Sequence, residues 1–155
     1  MKITILALGH RMPKWVTLGV EEYTRRMPAE VRVEVVELKP EDRANKTTAR
    51  VLAAEAERLE LAIPRQSQRI VCDERGKPLT TPMLAAWMQS WMRDGVQPCF
   101  IIGSADGLAE SIKATATQTV SVSGCVLPHG MVRVILAEQL YRAWSLMHNH
   151  PYHRE

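Results

Sequence analysis

The residues best equipped for chemistry gather at the end of the chain, in "HNHPYHRE" at 148–155. Three of the five histidines, a tyrosine and an arginine fall in those eight positions, although chain ends usually fray and carry solubilising charge. Just upstream, Glu138 and Arg142 stand four residues apart, so on a helix they are neighbours. Such a pair is either a surface ion pair worth a few tenths of a kcal/mol or the start of a polar track leading to the tail. His148 and His150 share a face if extended, but no Cys or Asp lies nearby to complete a metal set, and no metal site is expected. The letters "HNH" are a coincidence with the nuclease motif of that name, whose residues are scattered over a hairpin and a helix.

Two further stretches have the composition of ligand loops. "IIGSADGL" (101–108) places Gly103 directly after an apolar run, where backbone approaches a ligand closely and a following helix offers free N–H groups. It matches neither GxGxxG nor GxxxxGK[ST], so it licenses no dinucleotide or P-loop reading, and a plain strand-to-helix turn fits it equally. "SGCVLPHG" (123–130) has small residues, a Leu127-Pro128 kink and then His129 before a helix. It reads either as irregular backbone able to grip a polar ring or as a helix lead-in fixed by Pro128. Cys125, with no base beside it in sequence, is expected to be a small buried hydrophobe rather than a nucleophile.

The surrounding pattern says what must position these residues. Strand-like segments at 2–8, 31–38, 68–72, 98–103 and 119–127 alternate with helix-like segments at 13–27, 48–63, 82–95, 104–116 and 131–148. Residues 39–48 form a polar loop and 73–81 a turn-rich link. Gly95 is a helix stop. Pro151 should end the last helix near Asn149 and leave "PYHRE" extended. The alternation predicts an α/β domain with a mainly parallel sheet flanked by helices, a single domain over 1–155. Ligands of such sheets bind at the carboxyl ends of strands, which nominates the loops after Cys72, after Gly103, and from Val122 to His129.

Composition is that of a soluble globular protein: 155 residues, 46% hydrophobic, 24% charged and a formal charge of +3. Through Lys77 there are 15 basic and 12 acidic residues; beyond it there are 5 of each, so the cations of the second half are individually placed. Three isolated cysteines without a CxxC pair fit a reducing cytoplasm. No signal peptide or membrane span is evident, and a cytoplasmic location is expected.

Together, "LPHGMVRVILAEQLYRAWSLMHNHPYHRE" (127–155), "IIGSADGL" and "MPKWVTLGVEEYTRRMP" (12–28) closely resemble the RlmH family of bacterial 23S rRNA pseudouridine N3-methyltransferases, of the SPOUT superfamily. The resemblance spans essentially the whole chain. It implies a C-terminal trefoil knot, S-adenosylmethionine as cofactor, and a homodimer acting on 23S rRNA within the assembled ribosome, without membrane or metal.

By position it implies that Cys72, Gly103, Val122, Ser123, Gly124, Cys125, Val126, Leu127 and His129 bind the cofactor. The family usually has leucine where Cys72 stands and a second glycine where Ser104 stands. A Cβ at 104 disfavours positive φ, so a modest loop shift is expected there. For catalysis, Arg142 and Arg154 are expected to contact phosphate or uracil oxygens, Tyr152 to hydrogen-bond or stack, and His153 and Glu138 to accept the proton. With so few concentrated cations the chain should grip free RNA poorly and need the shape of the ribosome. Two other classes fit the residues less well: an RNA-binding module that leaves the Gly103 loop empty, and a metal-dependent hydrolase.

Overall fold

A computed structural model describes residues 1–154; Glu155 lies outside the described residues. Five strands, β1 (Lys2–Leu8), β2 (Arg32–Leu38), β3 (Gln68–Pro78), β4 (Pro98–Ile102) and β5 (Gln118–Ser121), form one sheet in the order β2-β1-β4-β3-β5. Every pairing is parallel, with β1 in register against both β2 (Ile5 opposite Val35) and β4 (Ile5 opposite Phe100). The predicted mainly parallel α/β sheet is thus parallel throughout.

The helices are α1 (Lys14–Thr24), α2 (Thr48–Ala62), α3 (Thr81–Asp94), α4 (Glu110–Lys113) and α5 (His129–Met147). Strand alternation divides the core. Ile3, Ile5 and Ala7 join Ile70, Phe100 and Ile102 against Leu84, Met88 and Trp91 of α3 and Leu136, Leu140 and Ala143 of α5. Leu6 and Leu8 join Val71, Cys99 and Ile101 on the opposite face, against Leu59 of α2 and Ile112 of α4. A strand buried on both sides must be covered on both sides, which explains why β1, apart from Lys2 and Thr4, and β4 read as near-continuous hydrophobic runs. Thr47 caps α2 by accepting from Arg50 N–H at 3.3 Å, and Thr80 caps α3 through Met83 N–H at 3.3 Å. Gly95 ends α3 with φ 68°, the predicted stop.

Four segments depart from the sequence expectation. The link at 73–81 is largely strand: both Cys72 and Lys77 pair with Val120, so Asp73–Gly76 bulge out while β3 continues to Pro78. The helix expected over 104–116 shrinks to α4, because residues 104–107 close a tight turn with Gly107 at φ 82°. The strand expected over 119–127 stops at Ser121, where Ser121 Oγ turns to donate to the Ser123 carbonyl at 2.7 Å. The tail is not extended: Asn149 takes φ 53°, and Pro151–Arg154 form a 3-10 turn folded back on α5.

Candidate active site

A cleft of about 610 Å³ opens at the carboxyl ends of β3 and β4. Its walls include Cys72, Ile102, Gly103, Val126, Leu127, Pro128 and His129. Five residues predicted to bind cofactor, Cys72, Gly103, Val126, Leu127 and His129, thus meet in one place. The other four, Val122, Ser123, Gly124 and Cys125, line an adjoining groove of about 460 Å³ with Glu74, Arg75 and Leu79; Val126 borders both spaces. The cleft has the size of a small-molecule site with mixed apolar walls and polar rim.

Each wall has a local cause. Gly103 is crossed by the returning loop so closely that a Cβ there would lie 2.5 Å from the Gly107 carbonyl oxygen. Ser104 does not take a positive φ; the left-handed step of this turn falls on Gly107, at φ 82°. The Ser104 hydroxyl donates to Glu55 Oε1 at 2.7 Å, tying the loop to a carboxylate of α2 that is 1% exposed. Asp73, carried out by the β3 bulge, pairs with Lys113 at 2.8 Å, and the bonded ammonium holds its carboxyl below the usual range. Asp106 pairs with Arg43 at 3.1 Å.

Cys72 forms part of the wall, and burial pushes its thiol up to about 12, so it is a neutral surface and not a nucleophile. Cys125 is not the buried hydrophobe expected: the 122–128 loop leaves the sheet and exposes it, with its N–H held by Ser123 Oγ at 2.9 Å. Val126 is 84% exposed, an apolar side chain left at the cleft rim.

The tail residues assemble elsewhere, midway along α5. Glu138 Oε1 accepts from the Tyr152 hydroxyl at 2.9 Å and from Arg142 Nε at 2.7 Å, while Gln139 Nε2 donates to its Oε2 at 2.7 Å. The Arg142 guanidinium sits 4.8 Å from the Tyr152 ring centroid, a cation–π stack. Tyr141 packs 4.8 Å from the same ring. Burial and the Glu138 carboxylate raise the Tyr152 pKa well above its ordinary value, so the phenol stays a neutral donor. His153 keeps a buried Nδ1 without a hydrogen-bond partner, and Arg154 is exposed. Three of the five predicted catalytic residues are thus in mutual contact. Ser145, three residues beyond Arg142 on the same helix, is fully buried.

Some participants escaped the sequence reading. Tyr23 of α1 and Arg26, just past its end, stand against the tail, with ring centroids of Tyr23 and Tyr152 6.5 Å apart and Arg26 5.9 Å from the Tyr152 ring. Arg133, one turn beyond His129, is buried behind the cleft; its i,i+4 spacing from His129 was the available signal. Among the described residues no three His, Cys, Asp or Glu side chains cluster to hold a metal ion, and no helix is long and apolar enough to cross a membrane.

A family model described as "Predicted SPOUT methyltransferase" matches residues 1–153. Proteins named "Ribosomal RNA large subunit methyltransferase H" from Burkholderia mallei (strain SAVP1) and Burkholderia pseudomallei (strain K96243) are each 52% identical over 155 residues, which is 99% of this chain and 99% of theirs. With a strand-end cleft built from the predicted loops and a match along nearly its full length, the chain belongs to the SPOUT methyltransferase family.

Proposed function

We propose that this protein methylates N3 of a pseudouridine in 23S rRNA of the assembled ribosome, with S-adenosylmethionine as donor. The observation that carries the reading is the meeting of Cys72, Gly103, Leu127 and His129 around one cleft at the strand ends, in a chain 52% identical to named large-subunit rRNA methyltransferases.

The cleft suits that donor. Its apolar wall at Ile102, Val126 and Leu127 matches the faces of an adenine, and exposed Val126 gains cover when a ring is present. Asp73, Glu74 and Asp106 border the same space together with Arg75 and Lys113, a mixed-charge rim able to meet the ammonium and carboxylate of the donor. When bound, the donor supplies an electrophilic methyl group. Val122, Ser123, Gly124 and Cys125 form the outer lip rather than the floor.

Transfer to N3 needs the acceptor nitrogen brought into line and its proton removed. Arg142 is a donor suited to uracil oxygens, where charge develops as the proton leaves, and the Tyr152 hydroxyl, whose one proton goes to Glu138, helps fix that guanidinium beside its ring. Glu138 already receives three donors, so its part is to hold Arg142 and Tyr152 in place. His153, with its unpartnered Nδ1, is the better proton acceptor, and Arg154 is a phosphate contact.

Along one chain, however, the two sets do not meet. Nine residues of α5 separate His129 from Glu138, about 14 Å of helix at ~1.5 Å per residue. A homodimer in which the tail cluster of one copy faces the cleft of the other resolves that separation. The knot of the family would then hold the cleft loops rigid.

Mass spectrometry of 23S rRNA after incubation with S-adenosylmethionine tests the proposal. Intact ribosomes should gain one methyl on a pseudouridine, and naked rRNA should gain essentially none. Equal labelling of both substrates contradicts the ribosome requirement; labelling of neither contradicts the function.

A further inference from the structure

The largest fully buried side chain among the described residues is a cation. Arg133 is 2% exposed and sits between the sheet edge and the cleft. Its Nη1 meets Glu37 Oε2 at 2.5 Å, at the end of β2. Its Nη2 donates to the Gly9 carbonyl at 2.7 Å, just past β1, and lies 3.2 Å from His129 Nε2. His129 in turn hydrogen-bonds the backbone of Gly103, just past β4. One guanidinium therefore links the carboxyl ends of β1 and β2 and, through an imidazole, the cleft loop after β4.

Donor and acceptor roles follow from chemistry. A guanidinium only donates, so His129 Nε2 must accept, and the ring proton resides on Nδ1, on the side free to donate to a carbonyl. Burial and the neighbouring Arg133 charge both lower the His129 pKa, consistent with a neutral ring. Packing is tight enough to exclude any side chain at position 9. A Cβ on Gly9 would stand 2.5 Å from His129 Nε2 and 2.9 Å from Arg133 Nη2.

Stability is a poor reason for such a group. Buried ion pairs are often replaced by apolar side chains at no loss, because desolvation offsets the attraction. Here the carboxylate partner is itself 42% exposed, and Arg133 Nε is buried with no hydrogen-bond partner. The geometry is better explained by what it does to His129.

We propose that Arg133 is a positioning residue of the methyl-donor cleft: anchored by Glu37 and Gly9, its guanidinium fixes His129 as the neutral Nδ1–H tautomer and so sets the wall at Gly103. This role rests on the reading of the cleft as the donor site.

The test uses ¹⁵N-histidine-labelled full-length protein and calorimetry with S-adenosylmethionine. In the wild type, long-range ¹H–¹⁵N spectra at neutral pH should show His129 protonated on Nδ1 and bare on Nε2. Arg133→Gln should mix the tautomers and weaken donor binding by about tenfold, the loss of one charge-assisted hydrogen bond. Glu37→Gln, at a more exposed position, should shift both readouts the same way by less, and it serves where Arg133→Gln does not fold. A wild-type His129 protonated on Nε2 overturns the proposal, as do folded variants with unchanged spectra or unchanged Kd. Wild-type protein that takes up no S-adenosylmethionine sinks the donor reading and this role together, whereas normal uptake with silent variants sinks this role alone.

Discussion

The Tyr152 hydroxyl lies 2.9 Å from Glu138 Oε1, across fourteen residues of sequence and the reversal at Asn149. This bond turns the chain end into a built structure. The 3-10 turn stacks its tyrosine under Arg142 and beside Tyr141, and its acidic partner also holds Arg142. A frayed tail would display the same residues with no fixed relation among them.

Tyr152→Phe tests whether the hydroxyl acts in the reaction or only in folding. The ring contacts survive and the hydrogen bond does not. Methylation of ribosomes should fall by up to about a hundredfold, the effect that a small misplacement of Arg142 can have once the Tyr152–Glu138 bond is gone. The Kd for S-adenosylmethionine should stay unchanged, since Tyr152 is no part of the cleft wall. Single-turnover rates and calorimetry separate the two.

In the proposed homodimer the tail should act across the interface. One protomer truncated after Asn149 and one with a blocked cleft, such as Gly103→Val, should each be inactive alone. Mixed and refolded together, they should recover up to about half the wild-type activity per active pairing, as expected when one chain supplies the cleft and its partner supplies the tail. Absence of recovery in a heterodimer verified by native mass spectrometry contradicts action in trans.

Ser104→Ala removes the hydroxyl that serves buried Glu55 Oε1. An orphaned buried acceptor costs about 1–3 kcal/mol, so Tm should drop by about 2–12 °C. Glu55→Gln keeps an oxygen for Ser104 and should lose less. Differential scanning calorimetry of the two variants checks the order.

His129 sets an acid limit on stability. Its folded pKa is lowered below the ordinary 6.5 by burial and by Arg133, with Glu37 opposing. Below pH 6.5 the unfolded chain therefore binds a proton that the folded chain refuses. Stability contributed by the neutral ring is present above that pH and is lost as pH falls toward the folded pKa. Urea midpoints measured from pH 7.5 to 5.0 should decline in the wild type and decline less in His129→Gln.

Much of this architecture was legible from residue pattern. β1 and β4 are apolar enough to need cover on both faces, and Thr47, Thr80 and Gly95 carry their capping chemistry locally. What escaped depends on distant pairing. Lys77 resumes the β3 ladder only because Val120 lies opposite, so Asp73–Gly76 looked like an ordinary turn. The 104–116 stretch has helical composition, yet the 104–107 turn and Gly107 at φ 82° delay the helix to Glu110. Cys125 resembled a core residue until the loop was seen to leave the sheet. Arg133 carried no local mark of its role, because its partners Gly9 and Glu37 lie about a hundred residues away in sequence. The cleft residues themselves were visible because loops at strand ends are short and ordered by topology.

The central claim is that the cleft at Gly103 holds the methyl donor, and isothermal calorimetry of S-adenosylmethionine against wild type and Gly103→Val measures it directly. The wild type should bind saturably, and the folded variant, whose side chain collides with the Gly107 carbonyl, should lose that heat. Equal binding by both proteins, or no binding by either in the presence of ribosomes, contradicts the account.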